Sequence, residues 1–314
     1  MKKNLKLLHQ DFIEECKYVG KLSDTTIRGY VGAFNLFLKL NPGVTVADLS
    51  AETMVKFFKR LEQREREVGR GEIKTGIKRS TTATYWSKLN VFMVWLEKHK
   101  KIKENPFKEI KCPNVEYADK KFIQKKDLDK IFSAIVINID WINNLVRKRN
   151  TAIFNLFLYT GIRKSELLGL KLIDFNFDIE ELTVRAEISK SKINRVIPLN
   201  RRLISILKDY LKERKSLGYK TEYFFVSNNS DNKFTEHGLK NTVTKIVEES
   251  GVKFHVHRFR HSFAINLINN GSDIMKIKQL LGHKDIRMTA AYLRCIPSNA
   301  MRGDIEDLNM DDML

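Results

Sequence analysis

The chain has 314 residues, 42% of them hydrophobic, which supports packed cores and argues against a disordered chain; its length points to two domains rather than one. Lys and Arg number 57 against 38 Asp and Glu, and the resulting formal charge of +19 at pH 7 favours a polyanionic partner, most commonly nucleic acid. Three widely spaced cysteines (Cys16, Cys112, Cys295) without a CxxC pair argue against a disulfide framework or a zinc ribbon. No apolar run approaches the ~18 residues of a membrane span, so a soluble, cytoplasmic protein with no membrane partner is expected.

The opening stretch MKKNLKLLHQDFIEECK starts like a secretion signal, but acidic residues interrupt it before an apolar core forms. From there to residue 110 the apolar spacing is helical throughout. SDTTIRGYVGAFNLFLKL opens on a Ser23 or Asp24 cap and carries a broad apolar stripe from Ile27 to Leu38. SAETMVKFFKRLEQRERE repeats the scheme with Ser50 or Thr53 as cap, and STTATYWSKLNVFMVWLEKHKKI is a third helix, expected to stop at Pro106. Between the last two, REVGRGEIKTGIKRS holds three glycines and a surplus of Arg and Lys, and is expected as a flexible basic loop that follows a phosphate backbone. Residues 1–110 therefore read as a helical DNA-binding domain. Aperiodic IKCPNVEYADKK, with Pro113, supplies a linker over 111–121. Residues 1–112 carry 23 basic and 13 acidic side chains, a net of +10, and the remainder 34 and 25, a net of +9, so both halves suit the same polyanion.

The second domain, 122–298, begins with helical KKDLDKIFSAI and RNTAIFNLFLYTGIRKSELLGL. The period then changes to two: EELTVRAEISKSKINRVIPLN reads as two strands, 181–188 and 193–199, joined by a turn at SKSK, with YFFV (223–226) as a candidate third strand. Helices resume at Glu236. The acidic tail 299–314 has a net charge of −4 and places Met301, Ile305 and Leu308 at helical spacing, one apolar face that wants a partner. The fold expected is mainly α with a small antiparallel β-sheet.

Chemistry concentrates in the second domain. HVHRFRHSFAINL packs three histidines and two arginines into its first seven positions and then turns apolar, so a basic cluster sits at the front of a core helix. Charge in such a place is costly unless paired, and an anion is expected there. A metal reading would draw His255, His257, His261 and His283 together. No Asp, Glu or Cys stands at ligand spacing among them, no HExxH is present, and two adjacent arginines would repel a cation.

Taken in order, Arg163 in TGIRKSELLGL, Lys190 in the hairpin, His257 and Arg260 in HRFRH, His283 in LLGHKDI and Tyr292 resemble the signature of the tyrosine recombinases, the integrase and Xer-type family. The likeness is strong over about 160–294 and includes flanking text such as RVIPL; the first domain is similar in kind to the family's helical core-binding domain. Every signature position is filled, with Lys192 a near alternative to Lys190. The resemblance implies a site-specific recombinase that cleaves and rejoins duplex DNA through a 3′-phosphotyrosyl link, with neither cofactor nor metal. It also implies short inverted-repeat core sites, a dimer on each site, a tetramer in the synapse, and a tail exchanged between protomers. The first domain starts near residue 5, which leads us to expect a simple recombinase without an arm-binding module, serving dimer resolution or mobile-element integration and transposition.

The residue types suit that chemistry. A phenol with a pKa near ~10 is a poor nucleophile until a site activates it, the role expected of Tyr292. Two fork-shaped guanidiniums, Arg163 and Arg260, match the non-bridging oxygens on which charge grows, and His283 adds a hydrogen bond. Lys190 is the general acid for the 5′-oxygen and His257 the general base. Glu166, three residues after Arg163, orients it or a neighbour, while His255 and His261 stand outside the catalytic set. Two rivals share the pattern: a type IB topoisomerase-like relaxing enzyme, and a DNA-binding protein that has lost catalysis.

Overall fold

The computed structural model describes residues 4–68, 71–115, 122–228 and 230–295; the end of the expected linker and the whole acidic tail lie outside the described residues. The chain divides into two compact units, residues 1–117 and 118–314.

The first unit is built on four helices: α1 (Leu5–Glu14), α2 (Asp24–Leu40), α3 (Ala51–Gln63) and α4 (Arg79–Lys98). Ser23 and Ser50 are the caps, each accepting from the backbone N–H three residues on, at 3.3 and 3.2 Å. Leu8, Phe12, Phe34, Phe37, Phe57, Phe92 and Leu96 form the core. His9 joins it stacked 3.9 Å over Phe34, and burial pushes its imidazole down to about 4, so it packs as a neutral ring.

Two expectations fail in this unit. α4 ends at Lys98, well before Pro106, because Lys100 adopts a left-handed conformation (φ 55°) and the Lys101 N–H turns back to the Leu96 carbonyl at 2.8 Å. The loop expected at 66–80 instead contains an antiparallel hairpin of β1 (Glu65–Val68) and β2 (Glu72–Thr75), with Glu67 opposite Ile73. Gly71 (φ 88°) helps turn the chain, and the Gly76 N–H closes the ladder on the Arg64 carbonyl. The residues on both strands are mostly polar, so hydrophobic periodicity does not reveal them.

The second unit centres on α6 (Asn144–Thr160), buried along most of its length, with α5 (Lys125–Ser133) before it and α7 (Lys164–Gly169) after it. A three-stranded antiparallel sheet follows, in the order β3 (Phe175–Asn176), β4 (Glu181–Val184), β5 (Arg195–Pro198). The hairpin strands are shorter than expected because residues past Val184 leave the ladder. Arg185 turns its side chain to Asp174 (2.6 Å) and to the Gly169 carbonyl (3.1 Å), and Ala186 donates to the Asn194 side chain (2.6 Å). YFFV is not the third strand: Tyr223 and Val226 make isolated bridges only, and Phe175–Asn176 takes that place. Residues 201–216, assigned to no element from the sequence, form α8 (Arg201–Ser216), which packs Leu203, Leu207 and Tyr210 inward beside α6. Then come α9 (Glu236–Ser250), α10 (His257–Asn269), α11 (Ile274–Leu281) and the short α12 (Arg287–Ala290). The protein is mainly α with small antiparallel sheets, as the sequence leads one to expect.

Gly161 closes α6 in the left-handed region (φ 59°), and a Cβ there would lie 2.5 Å from Cδ1 of Phe263 on α10. Gly251 closes α9 with a similar φ of 68°, but in open space. Gly251→Ala should therefore lower stability by about 1 kcal/mol, the left-handed cost alone. Gly161→Ala should lower it by about 3 kcal/mol or more, since α10 must also shift. Urea denaturation of the two variants checks this; equal losses would show that α6 does not meet α10 so closely.

Candidate active site

The end of α11 organises the second unit's charged centre. Its last carbonyls have no partner within the helix and carry the negative end of the helix dipole. Three arginines meet them. Arg195 donates Nε to the Leu280 carbonyl (2.9 Å), Arg260 donates Nη2 to that of Leu281 (2.6 Å), and Arg163 donates Nη2 to that of Gly282 (3.2 Å). Gly282 is left-handed (φ 64°), and a Cβ there would come within 3.0 Å of Arg195 Nη1, so glycine lets the guanidinium lie against the chain. The Gly161 carbonyl at the end of α6 takes Arg260 Nη1 at 2.8 Å. Two helix ends thus face one arginine.

The counter-charge is Glu166, fully buried on α7. Its Oε1 accepts from Arg163 Nη1 (2.9 Å), Arg195 Nη1 (3.1 Å) and the Ser189 hydroxyl (3.4 Å). Its Oε2 accepts from the Arg163 backbone N–H (2.8 Å) and Arg195 Nη2 (2.6 Å). Burial alone would raise this carboxyl's pKa; the hydrogen bonds and charge of Arg195, then those of Arg163, outweigh it and bring it to about 2. Arg260, 2% exposed, is pushed down to about 9 by its burial and by neighbouring Arg163. It stays charged at neutral pH in a place that favours an incoming anion.

Lys190 is exposed on the turn between β4 and β5, flanked by Ser189 and Ser191, both buried and hydroxyl to hydroxyl at 2.7 Å. Ser189, through Glu166, holds this turn to the arginine cluster. Lys192, also exposed, is left-handed (φ 57°). Tyr292 is 1% exposed and lies with Phe263, Ile277 and Leu281 in an apolar cluster. Its hydroxyl is 2.9 Å from His261 Nδ1, and its ring is parallel to that of His283 with centroids 6.4 Å apart. His283 Nδ1 is 2.9 Å from the Thr289 hydroxyl. His257 meets His261 edge to face at 4.7 Å.

Two of the six sequence-derived positions, Arg163 and Arg260, thus share the end of α11. His283 follows it directly and lies beside Tyr292, His257 is one ring from the histidine that meets the Tyr292 hydroxyl, and Lys190 stands on a turn tied to Glu166. Arg195 is not part of the signature read from the sequence, and His261 stands outside the catalytic set expected from it. A signal for Arg195 existed: on β5 it shares the inward face with Ile197, and an arginine in that register needs a buried anion. Among the described residues no group of three or more His, Cys, Asp or Glu is placed to hold a metal ion, and no helix is long and apolar enough to cross a membrane.

The chain is 27% identical over 298 residues to the tyrosine recombinase XerC of Oceanobacillus iheyensis, covering 92% of this chain and 91% of the relative. It is 29% identical over 290 residues to a tyrosine recombinase of Thermosipho africanus, covering 90% and 93%. In fold it is similar to the integrase of transposon Tn1549 in complex with transposon right end DNA (TM-score 0.75, 18% identity, 96% of this chain and 99% of that one). It is also similar to the XerH site-specific recombinase bound to palindromic difH (TM-score 0.72, 19% identity, 94% and 82%). The protein is an enzyme of DNA strand breakage and rejoining, a tyrosine recombinase. The profile of the phage integrase family matches residues 121–297, more than half of the chain, and the chain belongs to that family.

Because the carboxyl pKa of Glu166 lies below the ordinary glutamate value, its ionised form stabilises the fold at pH above about 4.5, and this contribution is lost as pH falls through about 2. Glu166→Gln leaves Arg195 buried without a counter-charge and should cost about 3 to 5 kcal/mol at pH 7. The difference in stability from the wild type should be flat from pH 8 to 5 and shrink below it. Urea titrations at several pH values measure this, and a difference independent of pH down to 3 would contradict it.

Proposed function

We propose that the chain recombines two copies of a short inverted-repeat core site in duplex DNA, with Tyr292 as nucleophile. The observation that carries this reading is the convergence of Arg163 and Arg260, with Arg195, on the end of α11: three guanidiniums around one carboxylate, Glu166, which bonds to Arg163 and Arg195. That leaves net positive charge for a single phosphate. Arg163 and Arg260 grip its non-bridging oxygens and His283 donates to one of them, which stabilises the charge that grows there in the transition state. Tyr292 attacks phosphorus, the Tyr–O–P bond forms and the P–O5′ bond breaks. Lys190 gives its proton to the departing 5′-oxygen, and the phenol's proton passes to the histidine pair, with His257 as the base in ring contact with His261. Reversal by an incoming 5′-hydroxyl rejoins the strand, so the bond energy is kept in the phosphotyrosyl link. The chemistry calls for neither cofactor nor metal.

Tyr292 is 1% exposed, so its hydroxyl must become accessible to the phosphate for the attack. The basic first domain, residues 1–110, and the catalytic domain, 122–298, joined by the linker 111–121, both grip the duplex; the net charges of the two halves support this. A dimer fills each core site and a tetramer forms the synapse, coupled by the acidic tail 299–314, whose Met301, Ile305 and Leu308 face docks on a neighbouring protomer. The work is done in the cytoplasm, where its DNA lies, and serves the resolution of circular dimers or the movement of a mobile element.

Tyr292→Phe should abolish the covalent protein–DNA adduct on a nicked suicide substrate while DNA affinity stays nearly unchanged, because one hydroxyl adds little to an interface governed by phosphate contacts. Gel analysis of adducts beside a binding titration reads both. An adduct with the Phe variant would remove Tyr292 from this role.

A further inference from the structure

The arginine that the recombinase signature does not include is also the one most firmly held. Arg195 begins β5 and its side chain is 4% exposed. Three of its five donors are used at once: two on the separate oxygens of Glu166 and Nε on the Leu280 carbonyl. Only a planar fork can serve a carboxylate edge-on and a carbonyl to one side; a lysine ammonium at the same place reaches one of them. Arg195 thereby joins α7, which begins next to Arg163, to the end of α11, which precedes His283.

We propose that Arg195 is a positioning residue for DNA cleavage: by neutralising Glu166 and fixing its plane, it keeps the charge of Arg163 available to the scissile phosphate. This rests on the reading of Arg163 as a phosphate-gripping group. With Arg195 present, Glu166 orients Arg163 through one guanidinium bond and the backbone N–H, while its charge is offset by the bidentate partner behind it. Without Arg195, the carboxylate has Arg163 as its nearest cation. The two become a closed, neutral ion pair in a buried place where such attraction is strong. Arg163 then turns away from the phosphate, and the site as a whole loses one positive charge. Removing the carboxylate as well should release Arg163 again. A role confined to holding the fold together predicts no such recovery of rate among molecules that are already folded.

The test uses the full chain and a nicked suicide DNA, with single-turnover adduct formation at saturating protein, DNA affinity and thermal unfolding measured side by side. Arg195→Met should slow adduct formation by about 100-fold or more with affinity little changed, the scale of losing one preorganised donor to a developing oxyanion. Arg195→Met/Glu166→Gln should be faster than Arg195→Met by about tenfold, a coupling expected of two groups acting through each other. Arg195→Lys keeps the charge and decides the matter if the Met variant does not fold: it should melt as a folded protein yet cleave at least about tenfold more slowly than wild type. Arg195→Lys cleaving at the wild-type rate, or a folded double variant no faster than Arg195→Met, overturns the proposal. Tyr292→Phe in the same assay separates the two levels. An adduct from it means the reading of the site has failed, whereas no adduct from it beside full-rate Arg195→Lys means that only the role of Arg195 has.

Discussion

A single buried carboxylate, shared between two guanidiniums, is the interaction on which the rest of the catalytic unit depends. Glu166 brings together α7, β5, the turn bearing Lys190 and, through Arg195 and Arg163, the end of α11. A carboxylate with no exposed surface is tolerated only because five donors satisfy it, and those of Arg195 and Arg163 hold its pKa down to about 2 against the effect of burial. The arginines are stable beside one another for a related reason. Each also donates to a carbonyl at the end of α11, where the helix dipole offsets part of their mutual repulsion. The result is a hydrogen-bonded cluster of three guanidiniums and one carboxylate, a net positive charge held in fixed directions, the kind of arrangement that electrostatic catalysis requires.

Local backbone features make this possible. Gly161 and Gly282 end α6 and α11 in conformations that other residues adopt only with strain, and each brings a carbonyl or a close backbone approach to a guanidinium. Ile188 lies so near Gly169 that a Cβ there would sit 2.6 Å from its Cγ2, which seats the hairpin against α7. The short helix α7 is therefore held by tertiary contacts rather than by helical propensity.

Much of this could be read from the chain alone, and the failures have definite causes. Helices with strong apolar stripes and serine caps, α2 and α3, came out with the caps the sequence offers, Ser23 and Ser50. The β1–β2 hairpin is not legible in the sequence because its side chains are mostly polar, so neither face carries a hydrophobic signal. YFFV reads as a strand because a run of aromatics suits a sheet as well as a core, and here Phe224 and Phe225 fill the core. At the site, the motif residues stood out by type and order. His261 did not, because nothing along the sequence says which of three neighbouring histidines meets a tyrosine thirty-one positions later. Arg195 looked like one more basic residue in a chain of net charge +19, although its inward register on β5 marked it as different.

The most direct test of this account is a structure of the protein on a DNA half-site with the scissile phosphate in place. The account predicts that Nη atoms of both Arg163 and Arg260 lie within about 3 Å of the non-bridging oxygens of that phosphate, the usual charge-assisted hydrogen-bond range. It also predicts that the Glu166–Arg195 pair and its bond to the Leu280 carbonyl are present in that complex. A phosphate held elsewhere, or a Glu166 that has left Arg195 to bind Arg163 alone, would contradict it.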